Sequence, residues 1–329
     1  SWGFKPILVK AALENSFDQD SGAKYTNWLC NRDVNHETWN SYSRITVTNP
    51  IYFPAQIWGP PSKPYDLKAM NQVWLCIDGA AGTGMYHYDG TPESLSHLKN
   101  DVVNLGHWLP NKPNQAVIGV GGGRDIQSAY LFGAQSVVGV ELNKVFVDLH
   151  LKDGFFSDFS NLKAFPQLQL IHDEARSWFN STHKKFHFIQ MSMIDTWAAT
   201  AAGAFSLSEN GLYTLEGWES FIKALEHDGI FTVSRWYAVN DTQETARMLS
   251  LAVSALIKQG AGDPSKHLFL AHGGAVATLI VSKRPLPLEE LQVLHQIADS
   301  KGFGILYSPL SPSSVPLLDK IANAPSMDY

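Results

Sequence analysis

From residue 116 onward, short apolar runs alternate with longer amphipathic stretches. The pattern predicts strands at 116–121, 136–142, 168–172, 186–193 and 229–236, with helices at 124–133, 143–152, 174–181 and 212–226. Runs that are apolar on both faces predict a parallel sheet covered by helices on each side. A long helix follows at 242–259, then two apolar runs, 267–271 and 275–282, separated by His272, Gly273 and Gly274. So short a connection joins only antiparallel strands, because a parallel return needs a dozen or more residues. From about residue 288 the pattern predicts a helix, a strand-like GILYSPL and a Ser/Pro-rich tail. The first 112 residues differ: they are irregular, rich in Trp, Tyr, Asn and Pro, with β-like runs SRITVT (43–48) and QVWLCI (72–77). A helix is expected over about 92–109, where Leu95, Leu98, Val102, Leu105 and Leu109 keep helical spacing. The organisation is therefore read as a small β-rich domain with its linking helix over 1–112, and an α/β domain over 113–329.

Bulk properties narrow the function classes. The chain has 329 residues, 44% of them apolar, and a formal charge of −6. Without a Lys/Arg run, no nucleic acid or anionic lipid partner is expected. Cys30 and Cys76 make neither a disulfide framework nor a zinc site, so two reduced thiols are expected. No apolar run reaches the ~18 residues of a membrane span and no signal peptide is visible. The first residue is Ser rather than Met, which suits a processed or excised piece.

The chemistry concentrates in AVIGVGGGRDIQSAYLFGAQSVVGVEL, residues 116–142. Gly119, Gly121, Gly122 and Gly123 form a turn between strand and helix, where a missing Cβ lets the backbone approach a ligand. Glu141 closes the next strand at the spacing from which an acid reaches a ribose hydroxyl. The competing reading is a glycine turn that only tightens strand-to-helix packing, with a solvated acid at a strand end. Five parallel strands followed by a hairpin separate a methyltransferase-type sheet from a dinucleotide dehydrogenase.

The segments IGVGGGRD (118–125), VVGVEL (137–142), IHDEARSWF (171–179), FHFIQMSMIDTWAATAAGAFSLSENGLYT (186–214) and HDGIFTVSRW (227–236) resemble the catalytic domain of spermidine synthases, within the class I S-adenosylmethionine-dependent transferases. They are more similar still to bacterial spermidine synthase-like proteins, in which such a domain often follows membrane-spanning helices. IDGAAGTGMYHYDG (77–90) resembles, more weakly, the small β-domain preceding it. The resemblance implies a Rossmann-like class I methyltransferase sheet, parallel strands plus a terminal antiparallel hairpin, behind a small N-terminal β-rich domain. It implies S-adenosylmethionine or its decarboxylated form as co-substrate, a small amine-like acceptor, no metal, and pairing of two copies through the N-terminal region. The domain is expected in the cytoplasm, tethered to a membrane if a spanning region lies upstream of residue 1.

Carried over residue by residue, Gly119, Gly121, Gly122, Gly123, Arg124 and Asp125 face the donor, and Glu141 holds its ribose. Glu174, with Asp173 as fallback, falls on the acid that accepts from the adenine amino group; either also suits a helix cap. Two positions depart from the family. Where spermidine synthases carry an Asp for the donor's amino group, this chain has Arg124, followed by Asp125. A guanidinium pairs with a carboxylate, so Arg124 either favours intact S-adenosylmethionine or points out as an exposed helix-start residue. After the fourth parallel strand, the first of two family Asp positions is Ser192 and the second is Asp195. Asp195 and Ser192 therefore occupy the catalytic positions, with Asp195 as acceptor ligand or base and a capping role as its rival. The long loop from Thr196 to Gly211 brings Trp197, Phe205 and Glu209 to the acceptor side; Tyr86, Asp78 and Asp89 are candidates to reach over from the N-terminal domain. Histidines are scattered, and His172 and His187 are read as packed or hydrogen-bonded. Two functions follow: an alkyl transferase, aminopropyl or methyl, acting on a small amine; or a non-catalytic sensor of the nucleoside attached to a membrane or partner region.

Overall fold

The computed structural model describes residues 34–41, 43–66, 68–79, 81–194 and 209–324, with backbone alone at 209 and 210. The N-terminal part is an antiparallel sheet of β1 (Val34–Trp39), β2 (Arg44–Thr48), β3 (Ile51–Pro54), β4 (Ala69–Ile77) and β5 (Ala81–Tyr86), in the order β1-β2-β4-β3 with β5 also paired to β4. The β-like runs at 43–48 and 72–77 lie in β2 and β4.

The expected helix over 92–109 is instead two 3-10 helices, Pro92–Asn100 and Val102–Trp108. Asp101 breaks it: its backbone is extended, and its carboxylate accepts from Val103 N–H (3.2 Å), Trp58 N–H (2.9 Å) and Gly59 N–H (2.9 Å). Within each 3-10 helix the apolar pairs, Leu95 with Leu98 and Val102 with Leu105, are three apart and so share a face, and the four-residue step from Leu98 to Val102 falls at the break.

The α/β part begins at β6 (Asn114–Ile118) and continues α1 (Arg124–Leu131), β7 (Ser136–Glu141), α2 (Lys144–Leu151), α3 (Phe155–Ser160), β8 (Leu168–His172), α4 (Ala175–Ser181), β9 (Phe186–Ser192), α5 (Leu215–Lys223), β10 (Leu225–Trp236), α6 (Gln243–Lys258), β11 (Leu268–Gly273), β12 (Val276–Ser282), α7 (Leu288–Lys301), β13 (Gly304–Tyr307) and α8 (Pro316–Ala322). The sheet order is β13-β11-β12-β10-β9-β6-β7-β8. Strands β8, β7, β6, β9 and β10 run parallel, whereas β12 is antiparallel to β10 and to β11. The GILYSPL run supplies β13, antiparallel to β11, so the terminal hairpin becomes three strands. The Ser/Pro-rich tail contributes α8, whose Leu318 and Ala322 are buried with the main core. That core covers one sheet face with α4, α5 and α6; the opposite face packs on the Val102–Trp108 helix and α7, and α1 lies against the N-terminal part.

The chain leaves β6 to build β7 and β8 on one side, then returns to place β9 on the other. β6 and β9 therefore flank the topological switch point, where open α/β sheets bind ligands beyond the strands' carboxyl ends. Cys76, buried in β4, is disulfide-bonded, which corrects the expectation of two reduced thiols; Cys30 lies outside the described residues. No helix among the described residues is long and apolar enough to cross a membrane.

Candidate active site at the switch point

The glycine turn follows β6 with Gly119, Gly121 and Gly123 at φ of 81°, 47° and 83°. These left-handed conformations strain any residue with a Cβ. Gly122 is glycine for another reason: a Cβ there would stand 2.2 Å from the Gly84 carbonyl oxygen of β5. The turn therefore presses against the N-terminal sheet, a contact other than the strand-to-helix packing of the competing reading. At Gly121, among the described residues, only the Thr83 methyl, 3.4 Å from the position of an added Cβ, is near, so those residues leave that face approachable.

Glu141 is buried rather than solvated. Its Oε2 accepts from Val120 N–H (2.8 Å) and Gly121 N–H (3.1 Å), and its Oε1 from Asn143 N–H (2.7 Å). Burial pushes its carboxyl up from the ordinary range, against the pull of those three bonds. A carboxylate offers about four lone-pair sites, so capacity remains for a hydroxyl. Beneath the turn, Gly121 O accepts from His150 Nε2–H (2.9 Å), and His150 Nδ1 takes the Ser160 hydroxyl (2.9 Å). Burial pushes His150 down to about 4, so the ring is neutral and the tautomer follows from the carbonyl.

Arg124 is neither exposed nor free. Its Nη2 pairs with Asp101 Oδ2 at 2.5 Å, both side chains are buried, and the guanidinium lies near the Trp58 and Tyr86 rings. The neighbouring Asp125 is also buried, its Oδ1 has no hydrogen-bond partner among the described residues, and burial pushes it up to about 6 against the opposing Arg124 charge. Ser192, at the end of β9, pulls the titration of the Asp125 carboxyl down and receives Gln190 Nε2–H at 3.1 Å. Gln190 Oε1 in turn accepts from His107 Nε2–H (2.7 Å). His107 is stacked between Phe132 and Phe188 and is pushed down by burial to about 4.

At the end of β8, Glu174 caps α4: its Oε1 accepts from Arg176 N–H (2.9 Å) and its Oε2 from Ser177 N–H (2.8 Å). Asp173 is exposed and accepts from Glu174 N–H (2.8 Å). Tyr86 is fully buried and donates to Gln56 O (2.5 Å), so it flanks Arg124 rather than an open cleft. Asp78 accepts from Arg44 N–H at the start of β2 and Asp89 accepts from Thr91 N–H in its own turn. Asp195, Trp197 and Phe205 lie outside the described residues; Glu209 opens the 3-10 turn Glu209–Tyr213, and its side chain is not described. His107, Gln190 and His150 went unnoticed in the sequence, where no motif marks them. No group of acids, histidines or cysteines suited to a metal occurs among the described residues.

No protein-family model matches the chain, and no curated protein does. Solved structures do. A spermidine synthase in complex with the transition-state analogue AdoDATO is matched at TM-score 0.51 and 17% identity, over 78% of this chain and 76% of that one. The fold is that of the spermidine synthases. A probable spermidine synthase from Corynebacterium glutamicum is matched at the same TM-score of 0.51 and 13% identity, over 89% of this chain and 95% of that one. Within the spermidine-synthase fold, Gly121, Glu141, Asp125 and Ser192 gather at the mouth between β6, β7 and β9. Glu174 and Asp173 stand at the carboxyl end of β8, beyond β7.

Proposed function

We propose that this chain is a transferase that moves an alkyl group from an S-adenosyl donor to a small amine-like acceptor. One observation carries the reading: Glu141 closes β7 beside the switch point, its carboxylate on the glycine turn with acceptor capacity left for a ribose hydroxyl. Gly121 leaves room for the nucleoside, and Glu174 or Asp173 stands where the adenine edge would lie. The donor supplies a sulfonium leaving group. The protein's own work is then to position the acceptor and remove its proton.

Arg124 gives Nη2 to Asp101 while its Nε stays without a partner among the described residues, so a preference for the intact donor through its guanidinium is left to experiment. Methyl and aminopropyl transfer are thus separated by experiment. A disulfide at Cys76 suits an oxidising compartment better than the cytoplasm.

Isothermal titration with S-adenosylmethionine and with its decarboxylated form tests the reading. The wild type is expected to bind one or both. Glu141→Ala is expected to weaken binding by roughly 10- to 100-fold, the worth of a charge-assisted hydrogen bond. No binding of either compound by the wild type overturns the reading. Binding without turnover of any amine points to the sensor.

A further inference from the structure

We infer that Asp125, at the start of α1, is the acid that takes the proton from the incoming amine, in place of the acid absent at Ser192. The inference rests on the transferase reading above. β6 and β9 are parallel neighbours with Ile118 opposite Met191, so Ser192 is level with Gly119, at the start of the turn that leads into α1 and Asp125. Asp125 has moved the carboxylate from the strand end to the helix beside it.

The surrounding bonds run in one direction. The two Gln190 Nε2 hydrogens are shared among Val103 O (3.2 Å), Asn104 Oδ1 (3.2 Å) and Ser192 Oγ (3.1 Å), so its Oε1 is the acceptor for His107. Ser192 Oγ, within reach of Gln190, holds the titration of the Asp125 carboxyl down. His107, Gln190 and Ser192 thus form a hydrogen-bonded chain that ends beside this carboxylate. Asp125 Oδ1 is left buried and unpartnered, a state that costs free energy unless something fills it. An N–H of the acceptor fills it.

The other charges facing Asp125 are Arg124 and Asp101, already bonded to each other. Its elevated titration near neutrality matches a base working at physiological pH. In the step, the amine lone pair forms the new N–C bond as the C–S bond breaks. The C–S electron pair goes to sulfur, giving a neutral thioether, and the ammonium proton passes to Asp125 Oδ1. Ser192 and Gln190 are positioning residues.

The test compares wild type, Asp125→Asn, Asp195→Asn and Ser192→Ala. Nucleoside binding is titrated with S-adenosylhomocysteine. Turnover is followed by mass spectrometry with putrescine and each S-adenosyl donor, as release of S-adenosylhomocysteine or methylthioadenosine. Asp125→Asn is expected to keep nucleoside affinity within about threefold while turnover falls at least about 100-fold, the lower worth of a positioned general base. Ser192→Ala is expected to move the acid limb of the pH–rate profile upward, because the carboxylate loses a hydrogen bond. Asp125→Asn turning over like wild type while Asp195→Asn is inactive overturns the assignment. Loss of nucleoside affinity in Asp125→Asn, or a wild type that binds nucleoside but never turns over, overturns it too. Absence of nucleoside binding by the wild type is a different result and removes the transferase reading itself.

Discussion

Lowering the pH from 7 to 5 should destabilise this protein through three histidines buried in the neutral form. Burial pushes His97 down to about 3, and His107 and His150 to about 4. For His97, the Arg124 charge adds to burial. A base whose pKa is lower folded than unfolded contributes stability above the unfolded value, near 6.5. That stability is lost as the pH falls toward the folded value, because the unfolded chain binds the extra proton. At pH 5 each histidine costs about 2 kcal/mol relative to neutral pH, so the three cost about 6 kcal/mol together.

Asp125 acts in the opposite sense. Its pKa is raised to about 6, so the folded state gains as the pH falls, by about 1.4 kcal/mol at pH 5. Glu141, also raised, works in the same direction. The balance is a net loss on the order of 4 kcal/mol, a large share of the 5–15 kcal/mol that holds a typical domain folded. Urea unfolding followed by tryptophan fluorescence at pH 7 and pH 5 measures it directly. His150→Gln keeps a donor for the Gly121 carbonyl but does not titrate, and should remove about 2 kcal/mol of the pH dependence. Equal unfolding free energies at the two pH values, or an unchanged slope in His150→Gln, would refute the neutral, buried assignment.

Other consequences follow from the same geometry. Arg124→Met leaves Asp101 charged and buried and should cost about 3 kcal/mol, near the lower end for a broken buried pair because three backbone N–H groups still hold the carboxylate; adding Asp101→Asn should recover part of the loss in urea unfolding. Gly122→Ala drives a methyl into the Gly84 carbonyl and should destabilise by about 1–3 kcal/mol. The same substitution should lower nucleoside affinity in titration, since the turn must move off β5.

The strand–helix alternation from residue 116, the antiparallel ending and the glycine turn with Glu141 were legible in the sequence. Each depends on residues close together in the chain: periodicity selects the element, missing side chains permit the turn, and a fixed spacing brings the acid to the next strand's end. The partners of buried polar groups were not legible in this way. Arg124 meets Asp101 from another element, Gly122 meets Gly84 of another sheet, and Ser192 reaches His107 through Gln190. A buried charge must find a hydrogen-bonding partner wherever the fold supplies one. Which residue that is depends on the order in which strands are laid beside β6, and no local window of sequence contains that order.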